Sequence, residues 1–470
     1  MPDERFEEHL RHPIGRGHRP AGGHAGAAGG AACGDLVTVT VAVDGDRVAD
    51  AGFEASGCGA AQAAGSAAVD LVRGVPVLDA ARVGTAAIAE ALGGLSVGKL
   101  HAADLAADAL HRALGAAVAA DAGAPAGRDE GRTLVAMSGG VDSAVAALLL
   151  HAGGADVAAV TLELWRDPEN DAEGSCCSAS AVRAARAVAH RLGLPHFTLD
   201  LRDAFRAGVV EPWLAEHAEG LTPNPCVRCN GHVRLDAMLD FADRLGAATL
   251  ATGHYARRTP GGLLRAAADP AKDQTYMLAA LSRATLERLR FPLGELTKPE
   301  VRALAREHGL SVAAKPDSQD LCFLAGTGRQ RFLARHGGLA ERPGDVVDPD
   351  GRVLGRHAGH FHYTVGQRRG LGVHAPEPLY VLRTDARANT VTVGPREALD
   401  VDRVVLRGVR LHRPAAEVDA VKLRYRAAAV PCRMEGDEVL LEQAFSAPAP
   451  GQTAVLLAGD VVVGCATIAG

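Results

Sequence analysis

The sequence predicts an α/β protein of several domains: a parallel-sheet domain, preceded by a small α+β unit and followed by small β domains that include a β-barrel. Short apolar segments alternate with helical patterns from Thr133 to Asp200, which is typical of a parallel sheet. Upstream, two alternating strands flank the turn Asp44-Gly45-Asp46, and a long helical pattern follows them. Downstream of about residue 340 the helical patterns stop, and short β segments separated by Gly, Pro and Asp take their place.

The changes of pattern predict five segments, since 470 residues exceed the roughly 100–200 residues of one domain. They are a small α+β domain at 1–115, a linker at 116–132, the parallel-sheet domain at 133–325, a small central domain at 326–395 and a β-barrel-like domain at 396–470. The linker is rich in Ala, Gly, Asp and Pro and lacks apolar periodicity. Gly and Ala also dominate residues 21–32, which we expect to be mobile.

The individual elements follow from the period of the apolar residues. We predict strands at 36–43 and 47–53, helices within 60–114, then strand 133–137, helix 144–151, strand 156–164, helix 181–192 and strand 196–200. The β segments of the last two domains are expected at 345–354, 378–393, 403–411, 421–425 and 464–468.

Composition and charge restrict the class of protein. Hydrophobic residues make up 47% and charged residues 23%, and the formal net charge is −6, so any nucleic-acid surface has to be a local basic patch. Arg368-Arg369 and Arg424-Tyr425-Arg426 are candidates for such a patch. No segment has the ~20 apolar residues of a membrane span. The N-terminus lacks the basic and apolar regions of a signal peptide, which predicts a cytoplasmic protein without membrane partners.

A phosphate-binding loop is predicted at Ser138-Gly139-Gly140-Val141-Asp142-Ser143, between a buried strand and a helix. Glycines allow the backbone to approach a phosphate, and the helix N-terminus offers free N–H groups and a positive dipole end. A bare Gly-Gly at such a place is often only a turn. The hydroxyls at both ends and the carboxylate inside make this pattern more specific than a bare Gly-Gly. It is not a Walker loop, because no Gly-Lys-Ser/Thr follows.

Nine cysteines in a reducing compartment indicate metal binding or thiol chemistry rather than a disulfide framework. Cys226 and Cys229 form a Cys-x-x-Cys pair in a loop broken by prolines, and Cys322 follows downstream. Sulfur transfer needs one thiolate that carries sulfane sulfur and a second thiol that resolves it. An isolated Cys is commonly just a small apolar side chain, and we interpret Cys176-Cys177 as structural.

The loop resembles that of the PP-loop (adenine nucleotide alpha-hydrolase-like) ATP pyrophosphatases, which cleave ATP to AMP and pyrophosphate while adenylating a substrate oxygen. Ligases that form argininosuccinate or amides share this loop, so the loop leaves the substrate open. From about Thr133 onward the chain resembles the tRNA-specific 2-thiouridylases of the MnmA family. The supporting segments are Ala251-Thr252-Gly253-His254-Tyr255, Lys272-Asp273-Gln274-Thr275-Tyr276, Phe291-Pro292-Leu293-Gly294 and the segment from Tyr363 to Gly372.

The resemblance implies site residues by position. ATP would contact Ala136, Met137, Ser138, Gly139, Gly140, Val141, Asp142, Ser143, Leu162 and Gly253. The target base would lie among Asn224, Pro225 and Cys226, and tRNA would contact Lys272, Asp273, Gln274, Arg424 and Tyr425. Cys229 would be the nucleophile and Cys322 the persulfide carrier.

The implied reaction uses ATP and Mg²⁺ to adenylate O2 of the wobble uridine, after which sulfur is transferred to C2 and a Cys229–Cys322 disulfide is left. The implied partners are tRNA and a sulfur donor such as a cysteine desulfurase or a relay protein. Cys226 departs from the pattern, because the better-known branch of the family has Asp there. With Cys229 and Cys322 it makes a three-thiolate set that suits a [4Fe-4S] cluster with one iron free to bind sulfide. The form of the transferred sulfur, a persulfide or a cluster-bound sulfide, is therefore left open.

The N-terminal segment from about Glu7 to Leu114 resembles the NifU/IscU iron–sulfur scaffolds, through Cys33-Gly34-Asp35, Cys58 and His101. The resemblance implies that Cys33, Asp35, Cys58 and His101 hold Zn²⁺ or an iron–sulfur cluster. Ala102 stands where the family has a third Cys that commonly accepts sulfur. The alternative is a decayed module kept for packing or for tRNA docking.

Three functions are therefore open: a tRNA 2-thiouridylase with a fused scaffold-like domain, a PP-loop ligase acting on another substrate, and an iron–sulfur binding or delivery protein. The pair Cys229 and Cys322 and the β-rich C-terminal region favour the first over the second. The intact loop at Ser138–Ser143 argues against the third.

Overall fold

The computed structural model describes residues 4–29, 34–120, 129–167, 178–317 and 321–469. Cys33, Cys176 and Cys177 lie outside the described residues, so their predicted roles stay predictions. Among the residues that are described, no helix combines the length and apolar character needed to cross a bilayer.

The N-terminal unit is a three-stranded antiparallel sheet, in the order β1-β2-β3, covered by helices rich in alanine. Its elements are α1 (Glu4–Arg11), β1 (His24–Gly29), β2 (Leu36–Asp44), β3 (Arg47–Ser56), α2 (Gly59–Val72), α3 (Val77–Ala80), α4 (Thr85–Ala91) and α5 (Leu100–Ala120). The predicted strand pair and helical region are present. The expectation of a mobile segment at 21–32 is wrong for β1, which pairs with β2 over its whole length.

The small side chains of β1 explain why a Gly/Ala sequence is ordered here. A Cβ at Gly26 would lie 2.3 Å from the carbonyl oxygen of Ala109, so only glycine allows β1 to lie against α5. The expected linker at 116–132 is also shorter than its composition indicates. Helix α5 continues to Ala120, and the next strand begins at Asp129.

The second domain contains a five-stranded parallel sheet in the order β10-β7-β4-β5-β6. Its elements are β4 (Asp129–Ala136), α6 (Val141–Ala152), β5 (Asp156–Glu163), α7 (Ala179–Arg191), β6 (His196–Asp200), α8 (Arg202–Phe205), α9 (Glu211–Ala218), α10 (Pro225–Cys229), α11 (Leu235–Arg244), β7 (Ala247–Ala251), β8 (Arg257–Arg258), β9 (Leu264–Arg265), α12 (Thr275–Leu278), α13 (Arg283–Arg288), β10 (Leu289–Arg290) and α14 (Lys298–Glu307). The π-helical turns Arg206–Val210 and Asn230–Arg234 join α8 to α9 and α10 to α11.

Two β units complete the chain after α15 (Arg329–Gly337). The first is a four-stranded sheet in the order β12-β11-β14-β13. Its strands are β11 (Gly344–Val347), β12 (Val353–His357), β13 (Tyr380–Asp385) and β14 (Thr390–Gly394). The second contains β15 (Asp400–Leu411), β16 (Ala420–Lys422), β17 (Val430–Glu435), β18 (Glu438–Ser446), β19 (Thr453–Ala458) and β20 (Val461–Ile468). Pairing of β15 with β20 closes these six strands into the expected barrel, and β9 adds to its β20 side.

The N-terminal unit packs against the edge strand of the parallel sheet. Helix α5 lies along β6, and a Cβ at Gly115 would lie 2.1 Å from the carbonyl oxygen of Thr198. The guanidinium of Arg186, which is only 2% exposed, donates to Asp108 at 2.6 Å and to Asp104 at 2.5 Å. Because a buried cation without its partners is costly, these bonds hold the unit in one orientation on the sheet.

Three histidines at this boundary make its stability depend on pH. Burial lowers the pKa of His190 to about 4, and it also holds the pKa values of His111 and His196 well below the usual range. In the unfolded chain His190 binds a proton near pH ~6.5, whereas in the folded protein it binds one only near pH ~4. The folded state therefore loses stability relative to the unfolded chain as pH falls from ~6.5 toward ~4. We expect His190 alone to cost ~2 kcal/mol by pH 5.

Thermal unfolding of the full chain at pH 7.5 and pH 5.0 measures this effect. The drop in midpoint between the two pH values is expected to shrink in His190→Gln, which keeps a donor for the carbonyl of Ala81 without an ionisable ring. An equal drop in the wild type and the variant would show that His190 does not contribute.

Candidate active site and N-terminal metal site

The predicted phosphate loop lies at the carboxyl end of β4, where α6 begins. Gly140 is the N-cap of α6. The backbone N–H of Ser138 donates to Ser143 Oγ at 3.0 Å, and the Ser143 hydroxyl donates to the carbonyl of Gly140 at 3.2 Å. These bonds fold the loop back over the helix N-terminus, the arrangement that favours a bound anion.

Two glycines are required by close backbone contacts at the loop. Gly139 has φ +68°, and a Cβ there would lie 2.2 Å from the carbonyl oxygen of Ala181, at the start of α7. Gly253 follows β7, and its Cβ would lie 2.7 Å from the backbone nitrogen of Ser143. Gly253 and the loop are thus in contact, as their shared predicted role requires. The other predicted ATP contacts, Ala136, Met137 and Leu162, have buried side chains in or next to strands β4 and β5.

A buried lysine that the sequence analysis missed contacts the loop. Lys298 is 8% exposed, and its ammonium lies 2.7 Å and 2.8 Å from the two carboxylate oxygens of Asp142. The Tyr255 hydroxyl donates to the same carboxylate at 2.9 Å, and burial together with Asp142 raises the pKa of Tyr255 above its usual range. A second lysine, Lys315, donates to the carbonyl of Gly139 at 2.9 Å.

A cavity of about 1540 Å³ runs from this loop to the barrel. Its lining includes Ser138 and Asp142 of the loop together with Lys272 and Tyr425. Four of the ten predicted ATP contacts and four of the five predicted tRNA contacts therefore line one cavity. Arg424 instead lines a neighbouring cavity of about 640 Å³, together with Thr364–Gln367.

The predicted tRNA contacts in the loop before α12 already have partners within the protein. Lys272 pairs with Asp317 at 2.8 Å. Asp273 accepts the Ala267 N–H at 3.1 Å and the Thr275 hydroxyl at 2.8 Å. Gln274 Oε1 accepts the Tyr255 N–H at 3.0 Å, so Asp273 and Gln274 shape the cavity wall in this structure.

Cys226 lies in the first turn of α10. Asn224 Oδ1 caps this helix by accepting the N–H groups of Cys226 at 3.1 Å and Val227 at 3.3 Å, and Pro225 supplies the favoured first position. Burial raises the pKa of the half-buried Cys226 thiol. Cys229 follows one turn later and is buried.

The barrel forms hydrogen bonds and a close backbone contact with the loop that precedes Cys226. The Thr222 N–H donates to the carbonyl of Pro450 at 2.8 Å, and Gln452 Nε2 donates to the carbonyl of Thr222 at 2.5 Å. A Cβ at Gly451 would lie 3.0 Å from the backbone nitrogen of Thr222. The C-terminal domain therefore helps to position the predicted base-binding residues.

Cys322 is half-buried and packs against the same hydrophobic core as buried Cys229. The next residue, Phe323, lies between aromatic rings, with centroids 5.2 Å from Trp213 and 5.1 Å from Phe332. These contacts fix the chain just after Cys322 against α9 and α15.

The predicted N-terminal ligands Asp35, Cys58 and His101 come together. Their ligand atoms all lie within 4.8 Å of one another, and no other group of His, Cys, Asp and Glu side chains in the described part of the chain is as compact. Asp35 accepts the Cys58 N–H at 2.7 Å and lies 3.2 Å from its sulfur and 3.0 Å from His101 Nε2. The Cys58 N–H is the main cause that lowers the pKa of Asp35. Ala102, at the position of the absent Cys, is fully buried.

Family models match the chain along most of its length. The matches are a NifU-like N terminal domain at residues 3–120, a tRNA methyl transferase HUP domain at 131–326, a tRNA methyl transferase PRC-barrel domain at 330–395 and an aminomethyltransferase beta-barrel domain at 410–468. The boundaries of these matches agree with the order of units seen in the fold.

Curated relatives match either nearly the whole chain or its larger part. The chain is 46% identical to the bifunctional protein NifU/MnmA of Rubrobacter xylanophilus, over 97% of this chain and 96% of that protein. It is 47% identical to the tRNA-specific 2-thiouridylase MnmA of Rhizorhabdus wittichii, over 71% of this chain and 90% of that protein. Among solved structures, the U34-tRNA thiolase NcsA of Methanococcus maripaludis aligns at 18% identity and a TM-score of 0.29, over 42% of this chain and 61% of that one.

Proposed function

The chain belongs to the bifunctional NifU/MnmA family, and on this premise we propose that it is an ATP-dependent tRNA 2-thiouridine synthase with a fused metal-binding domain. It is a sulfurtransferase, as its 2-thiouridylase relatives are. The observation that carries the proposal is the single cavity that joins the loop at Ser138 and Asp142 to Lys272 and Tyr425. Predicted contacts of ATP and of tRNA thus line one cavity, which a ligase for a small molecule would not require.

The proposed first step is adenylation of O2 of the wobble uridine, which turns a poor leaving group into AMP. The loop at Ser138–Ser143 binds the ATP phosphates through its N–H groups and the helix dipole. Mg²⁺ would supply neutralising charge to the phosphates when bound. Asp142 is the carboxylate of the loop, and it would have to exchange its bonds with Lys298 to hold the ion. Lys298 and Lys315 contact the loop already and add positive charge where pyrophosphate leaves.

The proposed second step is sulfur transfer through Cys322. The terminal sulfur of a Cys322 persulfide attacks C2, the C2–O bond breaks and AMP departs. The Cys229 thiolate then attacks the Cys322 sulfur, which releases the thiolated base and leaves a Cys229–Cys322 disulfide for an external reductant. The assignment rests on the resemblance of these two cysteines to the sulfur-transfer pair of the 2-thiouridylases. The persulfide is loaded by a sulfur donor, such as a cysteine desulfurase or a relay protein.

A cluster-bound sulfide is the second candidate for the sulfur source, and the donor set favours it specifically. Cys226 and Cys229 lie one helical turn apart, and thiolates are the ligands that iron–sulfur clusters take. Cys226, Cys229 and Cys322 would hold a [4Fe-4S] cluster, which would offer its open iron to sulfide. In the absence of metal, the raised pKa of Cys226 keeps that thiol protonated at neutral pH.

The N-terminal site is proposed to bind a metal ion or an iron–sulfur cluster through Asp35, Cys58 and His101, with Cys33 as a further ligand. The compact geometry of the first three fits a tetrahedral site, which Zn²⁺ prefers. The loss of the sulfur-accepting Cys at Ala102 argues against full scaffold activity. We therefore propose a metal-holding role for this domain in the same cytoplasmic protein.

Analysis of tRNA tests the proposed function. The full chain is expressed as the sole 2-thiouridylase of a cell that lacks its own, and wobble 2-thiouridine is measured by mass spectrometry. We expect the modified base to be restored, and AMP to form in the purified reaction only with tRNA present. Normal expression without 2-thiouridine would rule out the thiolase and leave the ligase or the delivery protein.

Metal content is expected to separate the two candidate sites. After anaerobic purification, Cys58→Ala should lose the bound zinc or iron of the N-terminal site, because removing one of few ligands strongly lowers affinity. Cys226→Ala should retain it. Zinc, iron and sulfide are quantified for both variants and for Cys432→Ala, whose buried cysteine belongs to the barrel core. Iron and sulfide lost with Cys226→Ala and kept with Cys58→Ala would instead place a cluster at the active site.

A further inference from the structure

Arg234 is a half-buried cation beside the ATP loop. It lines the large cavity together with Ser138 and Gly140 of that loop. In the described part of the chain, no hydrogen bond or ion pair joins its guanidinium to another group. Lys315, another cation that lines this cavity, donates instead to the carbonyl of Gly139 at 2.9 Å. Because a cation that is partly removed from water without a partner is costly, the position of Arg234 suits an anion supplied by a substrate.

A π-helical turn positions Arg234. The turn Asn230–Arg234 joins α10 to α11, and it is wider than an α-helical turn because it bonds residue i to residue i+5. Arg234 follows Cys226 by eight residues, which regular α-helix would rotate about 80° apart on its surface. The wider turn reduces this rotation and keeps Arg234 near the helix face of Cys226. Turns of this kind are frequent at functional sites.

The turn is held by contacts on two sides. The side-chain amide of Asn230 donates to the carbonyl of Met277 at 3.1 Å. On the other side Val233 is buried, and its Cγ2 would lie 2.6 Å from a Cβ at Gly208, in the preceding π-helical turn. The backbone at Arg234 is therefore fixed without any contact from its guanidinium, which is left available to a ligand.

The charge of Arg234 reaches both predicted binding regions. Burial raises the pKa of the Cys226 thiol, and the charge of Arg234 opposes that shift. Burial, with a further contribution from Arg234, lowers the pKa of His254 to about 3. Cys226 is a predicted base contact, and His254 follows Gly253, the predicted nucleotide contact that lies against the loop. Arg234 thus lies close to the place where the nucleotide would meet the base.

The α-phosphate of ATP is the anionic group that the proposed reaction brings to this place. Uridine O2 forms a bond to the α-phosphorus, the bond to pyrophosphate breaks, and the N3 proton of the base passes to water. The α-phosphate then joins the nucleotide to the base. When sulfur attacks C2, the C2–O2 bond breaks, its electron pair stays on O2, and AMP leaves with additional negative charge. A guanidinium presents two parallel N–H donors, which match the oxygens of a phosphate.

We infer that Arg234 is a catalytic residue that binds the α-phosphate during adenylation of the base and during the departure of AMP. The inference rests on the proposed function and deepens it, since it assumes ATP and the base in this cavity. The cation acts where negative charge develops, first around the α-phosphorus and then on AMP. Because its guanidinium has no partner in the described part of the chain, no bond within the protein has to break before it acts.

Single-turnover release of pyrophosphate, with the full-length enzyme in excess over tRNA, isolates the adenylation step. In Arg234→Met we expect the rate constant at saturating ATP to fall at least ~100-fold, the usual cost of removing a group that stabilises developing charge. The enzyme concentration that half-saturates tRNA should change by less than about threefold, because the lost contact is not one to tRNA. Arg234→Lys should recover part of the rate, since a point charge remains without the bidentate geometry.

Two controls separate this role from general charge and from folding. Arg306→Met removes an exposed cation in the last turn of α14, and it should keep the wild-type rate. Thermal unfolding of Arg234→Met should have a midpoint no lower than that of the wild type, because the substitution removes a partly desolvated cation without breaking a bond.

The outcomes separate the inference from the proposed function. A wild-type rate constant in Arg234→Met overturns the inference. A loss confined to half-saturation by tRNA also overturns it, because it would place Arg234 on the tRNA backbone. A lowered unfolding midpoint in both Arg234→Met and Arg234→Lys would show a structural role instead. If the wild-type protein releases no pyrophosphate with tRNA, the proposed function itself is wrong.

Discussion

Cys322→Ser is expected to reduce wobble 2-thiouridine below detection, with a loss of at least ~1000-fold in thiolation rate, as for removal of other covalent nucleophiles. Serine has nearly the same shape, but its oxygen cannot carry a sulfane sulfur or be resolved by Cys229. The half-buried thiol packs on a core that serine tolerates, so the protein should fold. The measurement is mass spectrometry of tRNA from cells that depend on the variant.

Adenylation distinguishes a chemical defect from a folding defect. The ATP loop is separate from Cys322, so the variant should still form AMP in the presence of tRNA, although no sulfur reaches C2. Cys432→Ser, whose buried cysteine belongs to the barrel core, is the matched control and should retain thiolation. Wild-type levels of 2-thiouridine in Cys322→Ser would show that the sulfur is carried elsewhere, because no other group at this position replaces the thiol.

The parts of the fold and the site that sequence predicted are those with short-range patterns. The ATP loop lies between a strand and a helix, and Asn224-Pro225 caps the helix of Cys226, so their positions follow from neighbouring residues. The closed barrel follows from its short β segments and turns. The order of domains is likewise visible from composition alone.

The parts that the sequence did not reveal depend on partners far along the chain. Lys298 lies 156 residues from Asp142, and Lys315 lies 176 residues from Gly139, so no local pattern marks them. Lys298 is the first residue of α14, whose capping box is formed by Thr297 and Glu300, and this pattern indicates only a helix start. Strand β1 was missed because its burial comes from glycine and alanine packed on α5 and not from large apolar side chains.

Gly139→Ala is expected to lower tRNA-dependent AMP formation by at least ~100-fold, the usual cost of losing groups that stabilise the reacting charge. The added Cβ would lie 2.2 Å from the carbonyl oxygen of Ala181, and φ +68° disfavours any side chain. The Ala181 oxygen is a backbone atom that cannot rotate away, so the loop itself must move. Its N–H groups then no longer point to the phosphates. Purified enzyme, ATP and tRNA suffice for the measurement.

Gly154→Ala separates this effect from backbone strain in general. Gly154 has φ +79° in the turn after α6, and no atom lies within 4 Å of its added Cβ. The left-handed strain costs about 1 kcal/mol at either glycine, so Gly154→Ala shows the effect of that strain without the clash. Only Gly139→Ala should lose ATP cleavage, while both should keep the metal bound at Cys58. Equal losses of AMP formation in both would mean that strain, and not the shape of the loop, limits the reaction.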